Sequence, residues 1–145
     1  MAPPLQLLLV EDNEDDVFLM TRALRSAGID LPVHVIADGQ EALEYLAGTG
    51  PYADRAAYPL PVLTFLDIKL PQTSGLELLR LIRSRPELRR TIVIMLTSSS
   101  HPEDVREAYN LGANSYVVKP ASFQQLVEFA KGFKQYWLGC NRPPS

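Results

Sequence analysis

A chain of 145 residues and 16.2 kDa, 46% hydrophobic and 21% charged, has the size and composition of one globular domain, large enough to hold a core without disulfide or metal. Seventeen acidic residues against fourteen basic ones leave a net charge of −3 with no basic block, which removes the electrostatic footprint of binding along a nucleic acid backbone. The single cysteine, Cys140, excludes an internal disulfide, and no early apolar run is long enough to target or span a membrane, so a cytoplasmic chain without membrane contact is expected.

Five apolar runs punctuate the chain: Leu7–Val10, Val33–Ile36, Val62–Leu66, Ile92–Leu96 and Ser115–Val118. Most are continuous rather than alternating and rich in β-branched residues, which predicts strands covered on both faces. Helical spacing fills the intervals. Val17, Met20, Leu24 and Ala27 share one face of the first, and Glu41–Ala47 form a less clear second. Leu78, Leu79 and Ile82 mark the third, and Val105, Ala108 and Tyr109 the fourth. Phe123, Leu126, Val127 and Ala130 mark the last.

Asp38 with Glu41, Ser74 with Glu77, Ser100 with Glu103 and Ser122 with Gln125 carry capping-box spacing, while Gly28, Gly48 and Gly112 stand where helices should stop. Strict alternation predicts a (βα)5 doubly wound parallel sheet, because right-handed crossovers return each strand in the same direction. Residues 48–61, with Pro51, Pro59 and Pro61, read as an insertion between helix two and strand three, and residues 139–145 as a short tail on a single domain, 1–138.

Ligands of such sheets bind beyond the carboxyl ends of the strands. There the sequence places Glu11-Asp12, Asp67, Thr97 and Lys119-Pro120. An acidic first loop repels phosphate where nucleotide sites carry glycines, and neither G-x-x-x-x-G-K-[ST] nor G-x-G-x-x-G is present. Glu11, Asp12 and Asp67 instead suit a hard divalent cation, Mg²⁺ with Mn²⁺ able to substitute. Glu14, Asp15 and Asp16 are read as a solvated first helical turn favoured by the helix dipole. His34 and His101 lack neighbours at metal-ligand spacing and are assigned no chemistry.

Leu8-Leu-Val-Glu-Asp12, Leu66-Asp-Ile-Lys-Leu-Pro71 with Gly75, Met95-Leu-Thr97 and Gly112-Ala-Asn-Ser-Tyr-Val-Val-Lys-Pro120 together resemble the receiver domain of two-component response regulators, from about Leu5 to Trp137. The resemblance implies a flavodoxin-like fold with strand order 2-1-3-4-5. It implies a phosphoprotein that is not an enzyme acting on other molecules, with Asp67 as phosphoacceptor. Glu11, Asp12, Asp67 and the Lys69 carbonyl would serve the metal, Thr97 and Tyr116 the switch, and Lys119 the phosphoryl group. Tyr116 also reads as a half-buried strand aromatic. Lys69, two positions after the acceptor, is expected to slow hydrolysis of the acyl phosphate or to pair with Glu14 or Asp15.

The insertion and the aromatic end of the chain further resemble stand-alone response regulators that partner phytochrome-type histidine kinases. That implies a sensor histidine kinase as donor, a histidine phosphotransfer protein as a further partner, and a homodimer through Phe129, Phe133, Tyr136, Trp137 and Leu138. Against this, Trp137 and Leu138 could fold back on their own domain. Two other readings compete. One is a haloacid-dehalogenase-like phosphohydrolase, disfavoured because Lys69 stands where that family carries a second aspartate and because Asp67 lies on the third strand. The other is a pseudo-receiver that binds partners without phosphorylation.

Overall fold

The computed structural model describes residues 5–144, and so leaves out the first four residues of the expected domain and Ser145 of the expected tail. Strands β1 (Leu7–Val10), β2 (Val33–Ile36), β3 (Leu63–Leu66), β4 (Val93–Thr97) and β5 (Ser115–Val118) alternate with helices α1 (Glu14–Ser26), α2 (Gly39–Ala47), α3 (Gly75–Ser84), α4 (Pro102–Asn110) and α5 (Phe123–Phe133). All strand pairs are parallel, in the order β2-β1-β3-β4-β5.

Continuous apolar strands are explained by the two cores they serve. Successive side chains point to opposite faces. Leu8, Val10, Leu66, Val93 and Met95 therefore meet α2, α3 and α4 on one side. Leu7, Leu9, Leu63, Phe65, Ile94 and Leu96 meet α1 and α5 on the other. The central strands β1, β3 and β4 are buried throughout, whereas the edge strands β2 and β5 are only partly covered.

Three of the four expected caps close helices. Ser74 accepts from the Glu77 amide and Ser122 from the Gln125 amide, and Asp38 caps α2 through the Gln40 amide rather than that of Glu41. The Ser100 cap is not formed. His101 is the N-cap of α4 and makes no side-chain cap, and Pro102 at the first helical position needs none for its missing N–H. On α4, Tyr109 is 49% exposed and only Ala108 is buried; Leu111, just past the helix, supplies the packing instead. Phe123, expected on the inner face of α5, is likewise exposed. Strand β3 starts one residue later than expected, and β4 is shifted by one, so that Thr97 falls inside it.

The insertion is ordered by its own polar contacts. Arg55 donates to the carbonyls of Tyr45, Leu46 and Tyr58, satisfying the end of α2, and the Tyr45 hydroxyl donates to Pro59 O at 2.9 Å. The Tyr52 hydroxyl donates to Glu41. His34 of β2 stacks on Tyr45 with ring centroids 4.7 Å apart, and Tyr52 and Tyr58 stand edge-on to both. These rings form a shelf over the partly covered β2 edge.

At the other end, α5 continues into a wider π-helical segment, Lys134–Cys140, so regular structure passes the expected boundary at 138. Phe133, expected at an interface, is a core residue: it is 2% exposed and its ring lies 5.0 Å from that of Phe65. Phe129, Trp137 and Leu138 also pack partly on the α1–α5 core, while Tyr136 is exposed.

Candidate functional site

The carboxyl end of the sheet is where strand burial stops and charge begins. In-register pairing of β1 with β3 ends at Val10 and Leu66, so Glu11 and Asp67 leave adjacent strands side by side. The Asp67 amide donates to Val10 O, carrying the ladder one residue further. Asp12 follows Glu11 outward and is exposed, whereas Glu11 and Asp67 are buried, at 3% and 6% exposure. One carboxylate oxygen from each of the three lies within 4.8 Å of the others. Three convergent carboxylate oxygens are a donor set for a hard divalent cation, as expected from the sequence.

Lys119 enters from the end of β5 and reaches the ends of β1 and β3 and the first turn of α1. Its Nζ donates to Glu11 Oε1 at 2.6 Å, to Asp16 Oδ2 at 2.8 Å and to Asp67 Oδ2 at 3.1 Å. Asp16 corrects the sequence reading: it is no freely solvated helix-start residue but a direct partner of Lys119. Its place on the third turn-forming position of α1, after the Asn13 cap that accepts from the Asp16 amide, aims it over the sheet. Asp16 meets Glu11 only through Lys119, far along the chain, so local periodicity carries no signal for it.

Electrostatics follow from this crowding. Burial pushes the Glu11 carboxyl up to about 7 against the pull of its hydrogen bond from Lys119, and the neighbouring Asp67 carboxylate adds to the rise. Burial alone would discharge Lys119, but hydrogen bonds to Asp16 and Glu11 and the charge of Asp67 outweigh it and hold the ammonium well above its ordinary value. The site therefore keeps its cation and strains one of its anions.

Thr97 ends β4 fully buried, its hydroxyl accepting from the Ser99 amide at 3.4 Å. Tyr116 on β5 is half-buried; its hydroxyl donates to Ser99 O at 2.9 Å, and burial raises its pKa. Thr97 and Tyr116 thus converge on one loop, whose buried Ser99 also donates to Asp104 of α4. Lys69 is exposed and lines the cleft; among the described residues neither Glu14 nor Asp15 forms an ion pair with it. Its amide lies 3.4 Å from Asp67 Oδ1.

Gly75 is required by packing against the site. An added Cβ would stand 1.9 Å from the Asp67 carbonyl oxygen, and the Gly75 amide donates to Ile68 O at 2.7 Å. The loop between them turns through Gln72 in the left-handed region, φ 67°. Helix α3 therefore starts in contact with the backbone that carries Asp67.

Residues 7–131 match the response regulator receiver domain family. The chain is 38% identical over 141 residues to the probable methanogenesis regulatory protein FilR2 of Methanothrix harundinacea, covering 97% of this chain and 88% of that protein. It superposes on the phosphorylated cyanobacterial phytochrome response regulator RcpA with a TM-score of 0.89 at 36% identity, covering 98% of this chain and 99% of the other. The Mn²⁺-bound form of the response regulator Rcp1 superposes with a TM-score of 0.87 at 33% identity, covering 98% and 100%. Rcp1 of Synechocystis is 35% identical over 94% of this chain and 90% of its own length. The acidic trio and the metal-bound relative agree on a divalent cation as cofactor. Among the described residues no helix is long and apolar enough to cross a membrane.

Proposed function

The chain belongs to the response regulator receiver family, and on that premise we propose that Asp67 is its phosphoacceptor and that a phytochrome-type sensor histidine kinase is the donor. The observation that carries the site assignment is the position of Asp67. Glu11 is likewise buried and held by Lys119, but Asp67 ends β3, between the strand that leads to the acids Glu11 and Asp12 and the strand that ends in Thr97, so the metal ligands and the switch hydroxyl flank it. Support for the donor comes from the phytochrome response regulator RcpA, which covers this chain almost end to end.

Transfer forms an O–P bond to a carboxylate oxygen of Asp67 and breaks the P–N bond of phosphohistidine. The imidazole nitrogen departs with the bonding pair. Glu11, Asp12, Asp67 and the Lys69 carbonyl would hold Mg²⁺, which when bound neutralises charge on the phosphoryl oxygens. Lys119 offsets the remaining charge from the β5 side and orients the group for in-line attack. The sheet fixes Asp67 through its amide, and Gly75 lets α3 approach closely behind it.

Thr97 and Tyr116 serve as the switch. A phosphoryl oxygen that draws the Thr97 hydroxyl withdraws the acceptor of the Ser99 amide, and the Ser99 carbonyl is what holds the Tyr116 hydroxyl. The β4–α4 loop then repacks, changing the face made by α4, β5 and α5. Exposed Tyr136, with the uncovered parts of Phe129, Trp137 and Leu138, forms a homodimer surface. Lys69, exposed over the cleft, shields the acyl phosphate from hydrolytic water; Lys69→Ala should shorten its lifetime, and an unchanged lifetime would remove that role.

Intact-mass measurement after incubation with a small phosphodonor and Mg²⁺ tests the assignment. One added phosphoryl group is expected, absent in Asp67→Asn. Retained label in that variant would overturn it, and continuous turnover of a generic phosphate ester would favour a phosphohydrolase.

A further inference from the structure

An ammonium has three N–H donors, and in this structure all three Lys119 donors are taken by carboxylates: Glu11, Asp16 and Asp67. A phosphoryl oxygen on Asp67 can be received by Lys119 only if one of these bonds is given up. The three are not equally dispensable. The Asp67 bond goes with the chemistry itself, because phosphorylation removes that carboxylate's charge and a phosphoryl oxygen takes its donor; a dianionic group that engages a second donor must take it from Glu11 or Asp16. Glu11 has a side chain only 3% exposed and would share its charge with Mg²⁺, which leaves Asp16 as the carboxylate outside the metal site that holds the ammonium. The Asp16 side chain is 39% exposed and stands in the first turn of α1, where water and the helix dipole can take over its charge.

We infer that Asp16 is a positioning residue that restrains Lys119 in the unphosphorylated protein and competes with the phosphoryl group for it. This rests on Asp67 being the phosphoacceptor. When the phosphoryl group arrives, the Asp16–Lys119 pair is the one that opens. The pair joins α1 to the segment after β5, across a small apolar pocket lined by Leu19, Met20, Phe123 and Leu126. Its opening therefore loosens the first turn of α1 from the segment after β5, while Met20 and Leu24 stay packed with Leu126 and Ala130, a response separate from the loop that holds Tyr116.

Beryllofluoride, a tetrahedral mimic of the phosphoryl group, provides the test at saturating Mg²⁺, alongside phosphoramidate labelling followed by intact mass. Asp16→Asn should bind beryllofluoride roughly two- to fivefold more tightly, the range spanned by a half-exposed ion pair. It should also lower the half-saturating phosphoramidate concentration by a similar factor with the limiting rate little changed. Asp16→Glu, which keeps the carboxylate on a longer arm, should return both values toward those of the wild type. Equal or weaker beryllofluoride binding by Asp16→Asn would overturn the inference. So would the same gain in Asp16→Glu, because charge competition would then not be the cause. A wild-type protein that takes no label, or an Asp67→Asn variant that keeps it, would overturn the phosphoacceptor reading beneath it. Labelling confined to Asp67 with no difference at position 16 would sink only this inference.

Discussion

At the carboxyl end of the sheet, one ammonium is shared among three carboxylates, and Glu11 is pushed up to about 7. Along the β2 edge, Arg55 faces carbonyl oxygens, Tyr45 and Tyr52 each donate to one acceptor, and His34 stacks on a ring. Both regions place polar groups out of bulk water. The first leaves charge in excess, and the second pairs donor with acceptor. Unbalanced charge costs stability and is retained where a ligand or transferred group will complete it; matched polar contacts hold a fold together and do little else.

Gly75→Ala should have the largest effect, because the new methyl cannot share space with the Asp67 carbonyl. About 3 kcal/mol of stability should be lost by urea denaturation, with the acidic trio displaced and Mg²⁺ binding weakened. A full-strength metal site in that variant would mean that α3 does not brace the acceptor.

Mg²⁺ should next separate the two regions. At a hundred times its dissociation constant, the ion should add about 2.7 kcal/mol to stability, read as a rise in melting temperature. The increment should vanish in Asp12→Asn and persist in Arg55→Met, since only the former touches the excess charge. Arg55→Met should itself cost about 2 kcal/mol, because the Leu46 and Tyr58 carbonyls lose the Arg55 donor and Tyr45 O keeps only the Gly48 amide. Phosphoryl uptake at Asp67 should be unaffected; impaired uptake would show that the shelf reaches the site.

The smallest effect concerns pH at the shelf. Burial lowers the His34 pKa below the ordinary imidazole value of 6.5, against an opposing pull from Glu41. As pH falls through 6.5, the unfolded chain takes up this proton before the folded one does. Stability is therefore present above that pH and lost below it, levelling off under the depressed folded value. Denaturant midpoints between pH 7.5 and 5.5 should fall less steeply in His34→Phe. Equal slopes would place the loss elsewhere.

Much of the architecture was legible because strand and helix periodicities differ and each leaves its own trace. Leu7–Val10 reads as a strand because both faces are covered, and Ser74 and Ser122 start helices through a purely local hydrogen bond. The misread positions have two kinds of cause, close neighbours along the chain and a partner far along it. Ser100 loses its cap because Pro102 starts the helix, and Tyr109 faces outward while Leu111, past the helix end, packs instead. Phe133 reads as surplus apolar surface until Phe65, on a strand nearly seventy residues earlier, is brought against it.

The sequence by itself determined that acids and a lysine stand at the ends of parallel strands, since that follows from local period and from the rule that right-handed crossovers return strands in the same direction. Tertiary structure alone decided how those charges are shared. Asp16 lies in a helix and Lys119 follows a strand 103 residues later, and only the packing of α1 beside α5 on one face of the sheet makes one the partner of the other. Charge interactions depend on distance and on how much water lies between, and neither quantity is written in the order of residues.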